Sequence, residues 1–309
     1  MSAAELTKRQ VPKVKMSTTN DLANQPKAKV RTITWQEICE WQFDNKYILS
    51  GYRPAIADYL EIFNSLTFLH NEACNVYTHL IGALLLPIVA ITSLRYLAEP
   101  QFHNLSSMDY AIFGIYFWCA EICLVLSALY HLIQPYSHQV EQFWHGMDLL
   151  GIVMVTMGTF CSGIYYLFFC EASLQKLHWA IVLTTGTVTG VLISNPLFRT
   201  PRGRKVKVGA FVIFGASSFI PLLHGVKRYG LEYMLEYSEV KLYLLELTFY
   251  SIGVSLYSFR IPERLAPSHQ IFHVAILCAM YTYQTALLQG FTRCHTLDVC
   301  QLQGVSWPK

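Results

Sequence analysis

The residues best placed to do chemistry in this sequence are two histidines, His269 and His273, four positions apart at the start of an apolar stretch that reaches about Gly290. In a helix this spacing puts both imidazoles on one face, one turn apart. Imidazole is a common metal ligand, and a histidine inside a membrane span is costly unless it is paired or functional. The pair therefore indicates either a metal site or two histidines that hydrogen-bond to a neighbouring helix.

The composition around this pair is that of a multi-pass membrane protein. Of the 309 residues, 53% are hydrophobic and 14% are charged, whereas soluble domains contain roughly 25% charged residues. Seven apolar stretches are each long enough to cross about 30 Å of hydrocarbon as a helix. We therefore predict an all-α fold of seven transmembrane helices, with kinks at Pro87 and Pro221. The predicted spans are 74–97, 108–133, 142–169, 175–196, 206–226, 240–259 and 268–290.

The segments outside the spans divide the chain into four regions. Residues 1–31 are polar and lysine-rich, which predicts a disordered cytoplasmic tail. Residues 32–73 are predicted to form amphipathic helices at the membrane surface, the first of them over 32–43. The seven-helix domain covers 74–290, and 291–309 are predicted to form an outer tail.

The distribution of basic residues predicts the orientation of the bundle. If the N-terminus is cytoplasmic, sixteen of the 23 Lys and Arg residues fall on the inner side and seven on the outer side. The strongest contribution from a short loop comes from the cluster at 199–207, between the fourth and fifth spans. By the positive-inside rule the N-terminus is cytoplasmic and the C-terminus is outside or lumenal.

In this orientation three helices bring polar residues to the cytoplasmic side of the bundle. His131 ends the second span, Asp148 begins the third, and His269 and His273 begin the seventh. Three histidine nitrogens from two helices form the ligand set of a catalytic zinc site, in which water takes the fourth position. Asp148 would orient a ligand or handle protons, and Ser127 would bind a substrate carbonyl. The alternative is a cytoplasm-facing cluster of hydrogen-bonded histidines.

Other polar residues are expected to serve structure. Glu121, Glu246 and His224 do not form a line across the bundle, so each is expected to make a buried hydrogen bond. His145 ranks below His131 as a ligand because it lies nearer the loop. Four further residues are expected to anchor the loop before the first span by hydrogen bonds: His70, Glu72, Asn75 and His79.

The cysteines suggest one disulfide. The chain has nine cysteines and no CxxC pair, so a metal-binding cysteine motif is not indicated. Cys294 and Cys300 lie beyond the last span, on the predicted outer side, where disulfides form readily. We predict that they pair with each other, or that one of them pairs with Cys170; two free thiols are the alternative.

Several stretches of the sequence resemble the signatures of the progestin and adipoQ receptor family, which is related to haemolysin III. They occur in the order expected for the family, and the resemblance covers roughly residues 45–290. It is closest to the fungal members linked to zinc and lipid homeostasis and to the adiponectin receptors. The matching stretches are 48–54, 70–80, 127–131, 145–148, 261–264 and 268–273.

The resemblance implies a seven-helix fold that holds Zn²⁺ near the cytoplasmic face through His131, His269 and His273. Asp148 would contact the zinc through water, and Ser127 would line the site. Similar proteins are described as ceramidase-like, which implies cleavage of a lipid amide. Glu121 departs from the small or apolar residue expected there.

The sequence is therefore compatible with two functions. The first is a zinc hydrolase of a membrane lipid amide, with a ceramide-like sphingolipid or a fatty acid as ligand. The second is a membrane receptor or regulator in which zinc is structural and which would bind an extracellular protein ligand. An ion channel or transporter is disfavoured because no polar path is evident, and nothing indicates nucleic-acid binding. The plasma membrane and the endoplasmic reticulum both fit.

Overall fold

A computed structural model of the chain describes residues 31–43, 46–102, 105–195, 201–263 and 267–304. The predicted disordered tail, apart from Arg31, lies outside these residues. Arg199 and Arg264, two of the basic residues on which the predicted orientation of the bundle depends, also lie outside them.

Seven helical stretches of the described residues are long and apolar enough to cross a membrane, which confirms the predicted all-α, seven-helix fold. The fifth of these stretches is divided into two helices. The helices are α1 Tyr59–Asn64, α2 Ala73–Leu97, α3 Ser107–Ile133, α4 His138–Leu167, α5 Ala172–Ser194, α6 Pro201–Ala216, α7 Phe219–Tyr229, α8 Leu231–Tyr237, α9 Val240–Phe259, α10 Ser268–Thr296 and α11 Val299–Leu302. The strands are β1 Ile33–Thr34 and β2 Ser50–Tyr52, and 3-10 turns cover Glu40–Gln42, Ser65–Thr67 and Gln134–Tyr136.

The spanning helices pack mainly as neighbours in sequence, and α10 packs on α2, α4 and α9. The last span therefore lies against the first. Small residues permit the closest approaches: a Cβ atom on Gly158 of α4 would lie 2.7 Å from the Cβ atom of Cys119 on α3. A Cβ atom on Gly186 of α5 would likewise lie 2.7 Å from Met157 of α4, so this glycine serves close packing.

The two predicted proline kinks have different outcomes. The fifth span breaks between α6 and α7, at Ser217 and Ser218. Pro221 follows four residues after Ser217, and a proline ring clashes with the carbonyl group four residues before it. The helix α2 is continuous from Ala73 to Leu97 with Pro87 in its interior, and a kink there stays a prediction.

The amphipathic helix predicted over 32–43 is wrong. This segment instead contributes β1, which pairs antiparallel with β2 so that Ile33 faces Tyr52. The Glu37 carboxylate accepts hydrogen bonds from the backbone N and the hydroxyl of Thr34, at 2.9 and 2.8 Å. Local side-chain to backbone bonds of this kind compete with helix formation, and β-branched Ile33 and Thr34 favour an extended backbone.

A disulfide joins Cys170, after α4, to Cys300 in α11. This confirms the second of the two predicted arrangements. The Cys294–Cys300 pairing is wrong, because α10 continues six residues beyond the predicted boundary and carries Cys294 as a buried free thiol. We call this side of the bundle the disulfide end. The opposite side, which carries His131, His269 and His273, is the histidine end.

Candidate metal centre

Three histidines meet at the histidine end of the bundle. His131 lies in the last turn of α3, and His269 and His273 lie in the first two turns of α10. One ring nitrogen of each lies within 4.8 Å of the others. The ring centroids of His131 are 4.9 Å from His269 and 4.7 Å from His273. The structure therefore brings together the three residues predicted from sequence as zinc ligands.

The orientation of His131 fits a metal ligand. Its Nδ1 atom lies 2.8 Å from Oε2 of Glu72 and donates to that carboxylate. Its Nε2 atom is buried and has no hydrogen-bond partner among the described residues. Metal-binding histidines typically donate one ring nitrogen to a carboxylate and present the other to the metal. The donor set and the unpartnered nitrogen therefore fit a zinc ion.

Glu72 is itself held by two asparagine side chains. Asn71 Nδ2 donates to Oε1 at 2.9 Å, and Asn75 Nδ2 donates to Oε2 at 2.7 Å. Burial alone would raise the pKa of Glu72, but its hydrogen bond with His131, the nearby histidines and Asn75 outweigh burial and lower the pKa to about 2. From sequence, Glu72 was expected only to anchor a loop. The sequence signal that could have indicated the role of Glu72 beside His131 is a carboxylate at the same depth in the bundle as the histidines.

The helix α2 forms one wall of the cluster. The ring of His79 stacks on that of His273 with 3.9 Å between centroids and 23° between planes. The Thr78 hydroxyl lies 3.4 Å from Nδ1 of His273. His79, which was expected to form an anchoring hydrogen bond, thus contacts a ligand candidate directly.

Arg53 ties the last turn of α3 to the segment before α1. Its guanidinium donates to the carbonyl oxygens of His131 at 2.6 Å and Leu132 at 2.8 Å, and to the Ser65 hydroxyl at 3.0 Å. Burial lowers the pKa of Arg53 to about 10, against the charge of Glu72, which raises it. Arginine thereby satisfies carbonyl groups that a helix C-terminus leaves without partners.

Asp148 and Ser127 lie on the helices around the cluster. Ser127 is buried, one turn before His131 on α3. Asp148 lies in α4 and is half-buried. Asp148 does not belong to the metal-binding group, which consists of the three histidines whose ring nitrogens lie within 4.8 Å of one another.

The other polar residues lie elsewhere. His145 is exposed, with its ring 5.4 Å from that of Tyr130, and it does not join the cluster. His224 forms the expected hydrogen bond, to His178 of α5 at 3.0 Å. The hydrogen bond expected for Glu121 is not formed at its Oε2 atom, which has no partner among the described residues.

Comparison with known proteins places these residues in a shared region. The sequence profile "Haemolysin-III related" matches residues 67–284, which include the three histidines. The ADIPOR-like receptor IZH2 of Saccharomyces cerevisiae is 31% identical over 302 residues, 95% of this chain and 94% of the yeast protein. The adiponectin receptor protein of Drosophila melanogaster is 27% identical over 257 residues, 81% of this chain but 57% of the fly protein. Progestin and adipoQ receptor family member 3 of Homo sapiens is 26% identical over 266 residues, 82% of this chain and 83% of the human protein.

Proposed function

This chain belongs to the haemolysin-III related family, the family of progestin and adipoQ receptors, and we propose that it is a zinc-dependent hydrolase of a membrane lipid amide, of the ceramidase type. The observation that carries the proposal is the cluster of His131, His269 and His273, in which His131 and His273 are buried and Nε2 of His131 has no partner among the described residues. The chain itself is a seven-helix membrane protein similar to adiponectin receptors.

The three histidines would hold the zinc ion, with Glu72 fixing the tautomer of His131. Catalytic zinc sites use three protein ligands and leave one position open, which this donor set matches. When bound, zinc would polarise an amide carbonyl and lower the pKa of a water molecule. The reaction consumes one amide and one water and releases a carboxylic acid and an amine.

Two residues near the cluster would handle the proton and the carbonyl oxygen. Asp148 would accept a proton from the attacking water and return it to the amine as the C–N bond breaks. Ser127 would donate its hydroxyl proton as a hydrogen bond to the carbonyl oxygen as negative charge develops there. Their support is their position: Ser127 lies one turn before His131 on the same helix, and Asp148 lies on α4, the next helix of the bundle.

The orientation of the bundle is part of the proposal. We place the histidine end and the tail 1–31 in the cytoplasm, because basic residues favour that side. The Cys170–Cys300 disulfide supports this choice, since disulfides persist outside the cytosol. The substrate would be a ceramide-like sphingolipid, with a fatty acid as product, in the plasma membrane or the endoplasmic reticulum.

A receptor or regulator with structural zinc is the second candidate. The names of the yeast and fly relatives favour it, since both are called receptors. Zinc would then hold α3 against α10, and an extracellular protein would act from the disulfide end.

Metal content and ceramide turnover of the purified protein in lipid nanodiscs separate the two functions. We expect about one zinc per wild-type chain and its loss in His131→Ala, His269→Ala and His273→Ala. Asp148→Ala should keep zinc and lose turnover. Fully zinc-loaded wild type that cleaves no ceramide would refute the hydrolase and leave the receptor.

A further inference from the structure

Glu246 is a buried carboxyl group within α9, one of the seven helices long and apolar enough to cross a membrane. It lies in the second turn of α9 and is 6% exposed. No residue that the structure describes gives this carboxyl a hydrogen bond or an opposite charge. Arg293, at the disulfide end of α10, pairs with Glu239 at 3.3 Å instead. An ionisable residue in this position is costly, which indicates a functional site.

Four tyrosines lie in the same part of the bundle as this carboxyl group. Tyr243 and Tyr250 lie three residues before and four residues after Glu246, on the same face of α9. Tyr116 of α3 and Tyr283 of α10 come from across the bundle, and they join this face of α9 through the ring contact between Tyr283 and Tyr243. The ring centroid of Tyr283 lies 4.9 Å from that of Tyr116 and 6.0 Å from that of Tyr243.

The hydroxyls of the two tyrosines across the bundle are already engaged. The Tyr116 hydroxyl donates to the carbonyl oxygen of Met280 at 2.9 Å, and the Tyr283 hydroxyl donates to that of Thr159 at 2.6 Å. These rings therefore bring aromatic surface to the site, and their protons are not available to Glu246. A buried carboxyl group flanked by aromatic side chains is complementary to an ammonium group, because both the carboxylate charge and the ring quadrupoles attract it.

We propose that Glu246, with Tyr243, Tyr250, Tyr116 and Tyr283, binds the ammonium group of a long-chain amine. The surrounding bundle is apolar, so the ligand must carry an alkyl chain. Tyr243 and Tyr250 are only half-buried, so the protein does not seal the site.

This amine site is separate from the candidate metal centre. Glu246 lies eleven residues before Tyr257, whose ring is 4.9 Å from that of His269. Eleven residues of helix span about 16 Å. Amine binding therefore does not require zinc or the proposed hydrolysis, although hydrolysis of a lipid amide would release an amine of this class.

Binding of octadecylamine and of uncharged octadecanol to the protein in nanodiscs tests the proposal. Wild type should bind the amine about tenfold more tightly than the alcohol, after subtraction of binding to empty nanodiscs. Glu246→Gln keeps the side-chain volume and should bring the two affinities close together. Tyr250→Leu should lower the preference a few-fold, and it decides the question if Glu246→Gln does not fold.

Glu121→Gln is the matched control, because Glu121 is also a carboxyl within a span but is only half-buried. It should keep the preference for the amine. His131→Ala should keep it too, which separates a failed metal centre from a failed amine site. Equal binding of amine and alcohol by wild type would overturn the proposal, as would a loss in Glu121→Gln equal to that in Glu246→Gln.

Discussion

Replacing Glu72 by glutamine tests whether the carboxylate behind His131 sets the affinity for zinc. The carboxylate lies 2.8 Å from Nδ1 of His131 and is held by Asn71 and Asn75. Glutamine keeps the size of the side chain and one oxygen acceptor. The substitution therefore removes the negative charge with little change in packing.

The expected loss follows from the type of contact. Removing a carboxylate that supports a metal-binding histidine lowers metal affinity about 10–100-fold. That range corresponds to about 1.4–2.8 kcal/mol, close to the roughly 1.5–3 kcal/mol of a hydrogen bond to a charged group. Glu72 is 13% exposed and is therefore weakly screened by solvent. We expect a loss in the upper half of the range.

Zinc affinity is measured by competition with a chelator on purified protein in nanodiscs. Glu232→Gln, an exposed residue of α8 at the disulfide end, is the control and should leave the affinity unchanged. His131→Ala should abolish binding at this site. If Glu72→Gln binds zinc within about twofold of wild type while His131→Ala does not bind it, the carboxylate does not support the ligand as the geometry indicates.

Three further predictions concern stability and are measured by thermal unfolding in detergent, with non-reducing gels as an additional control for the disulfide. Arg53→Gln loses donors to the His131 and Leu132 carbonyl groups, and should destabilise the protein by about 1–3 kcal/mol; unchanged unfolding would contradict the role of Arg53 at the end of α3. Cys300→Ser opens a disulfide that closes 130 residues, and should cost about 2–4 kcal/mol, whereas Cys294→Ser, which changes a free thiol, should leave the mobility on non-reducing gels unchanged. Burial raises the pKa of Glu239 from 4.5 to about 7, against the charge of Arg293. Protonation of Glu239 therefore stabilises the fold fully below pH 4.5, and this stabilisation is lost as the pH rises through about 7, a change of roughly 3 kcal/mol in the free energy of unfolding. Glu239→Gln should flatten this pH dependence. A pH dependence as steep as that of wild type would exclude Glu239 as its origin.

The positions of the spans are well determined by sequence, and their ends less so. A run of about 20 apolar residues must adopt a helix in a membrane, because only a helix satisfies its backbone hydrogen bonds within one segment. The ends depend on contacts instead. The helix α10 continues to Thr296, six residues beyond the predicted boundary.

The segment before the first span shows where pattern reading fails. Apolar residues over 32–43 are compatible with a surface helix, but Thr34 bonds to Glu37 and β1 pairs with β2. The partner strand comes from residues 50–52, so the choice between helix and hairpin depends on a segment outside the pattern. Helical periodicity carries no information about such pairing.

Hydrophobic run length and helical spacing are local properties, and they were therefore enough to predict the seven helices and the shared face of His269 and His273. Three long-range contacts became known from the folded chain: Glu72 supports His131 across 59 positions, Arg53 reaches the end of α3 across 78, and Cys300 pairs with Cys170 across 130. These contacts depend on how the helices pack against one another. The spacing of residues along the chain does not encode that packing, because each helix can present several faces to its neighbours.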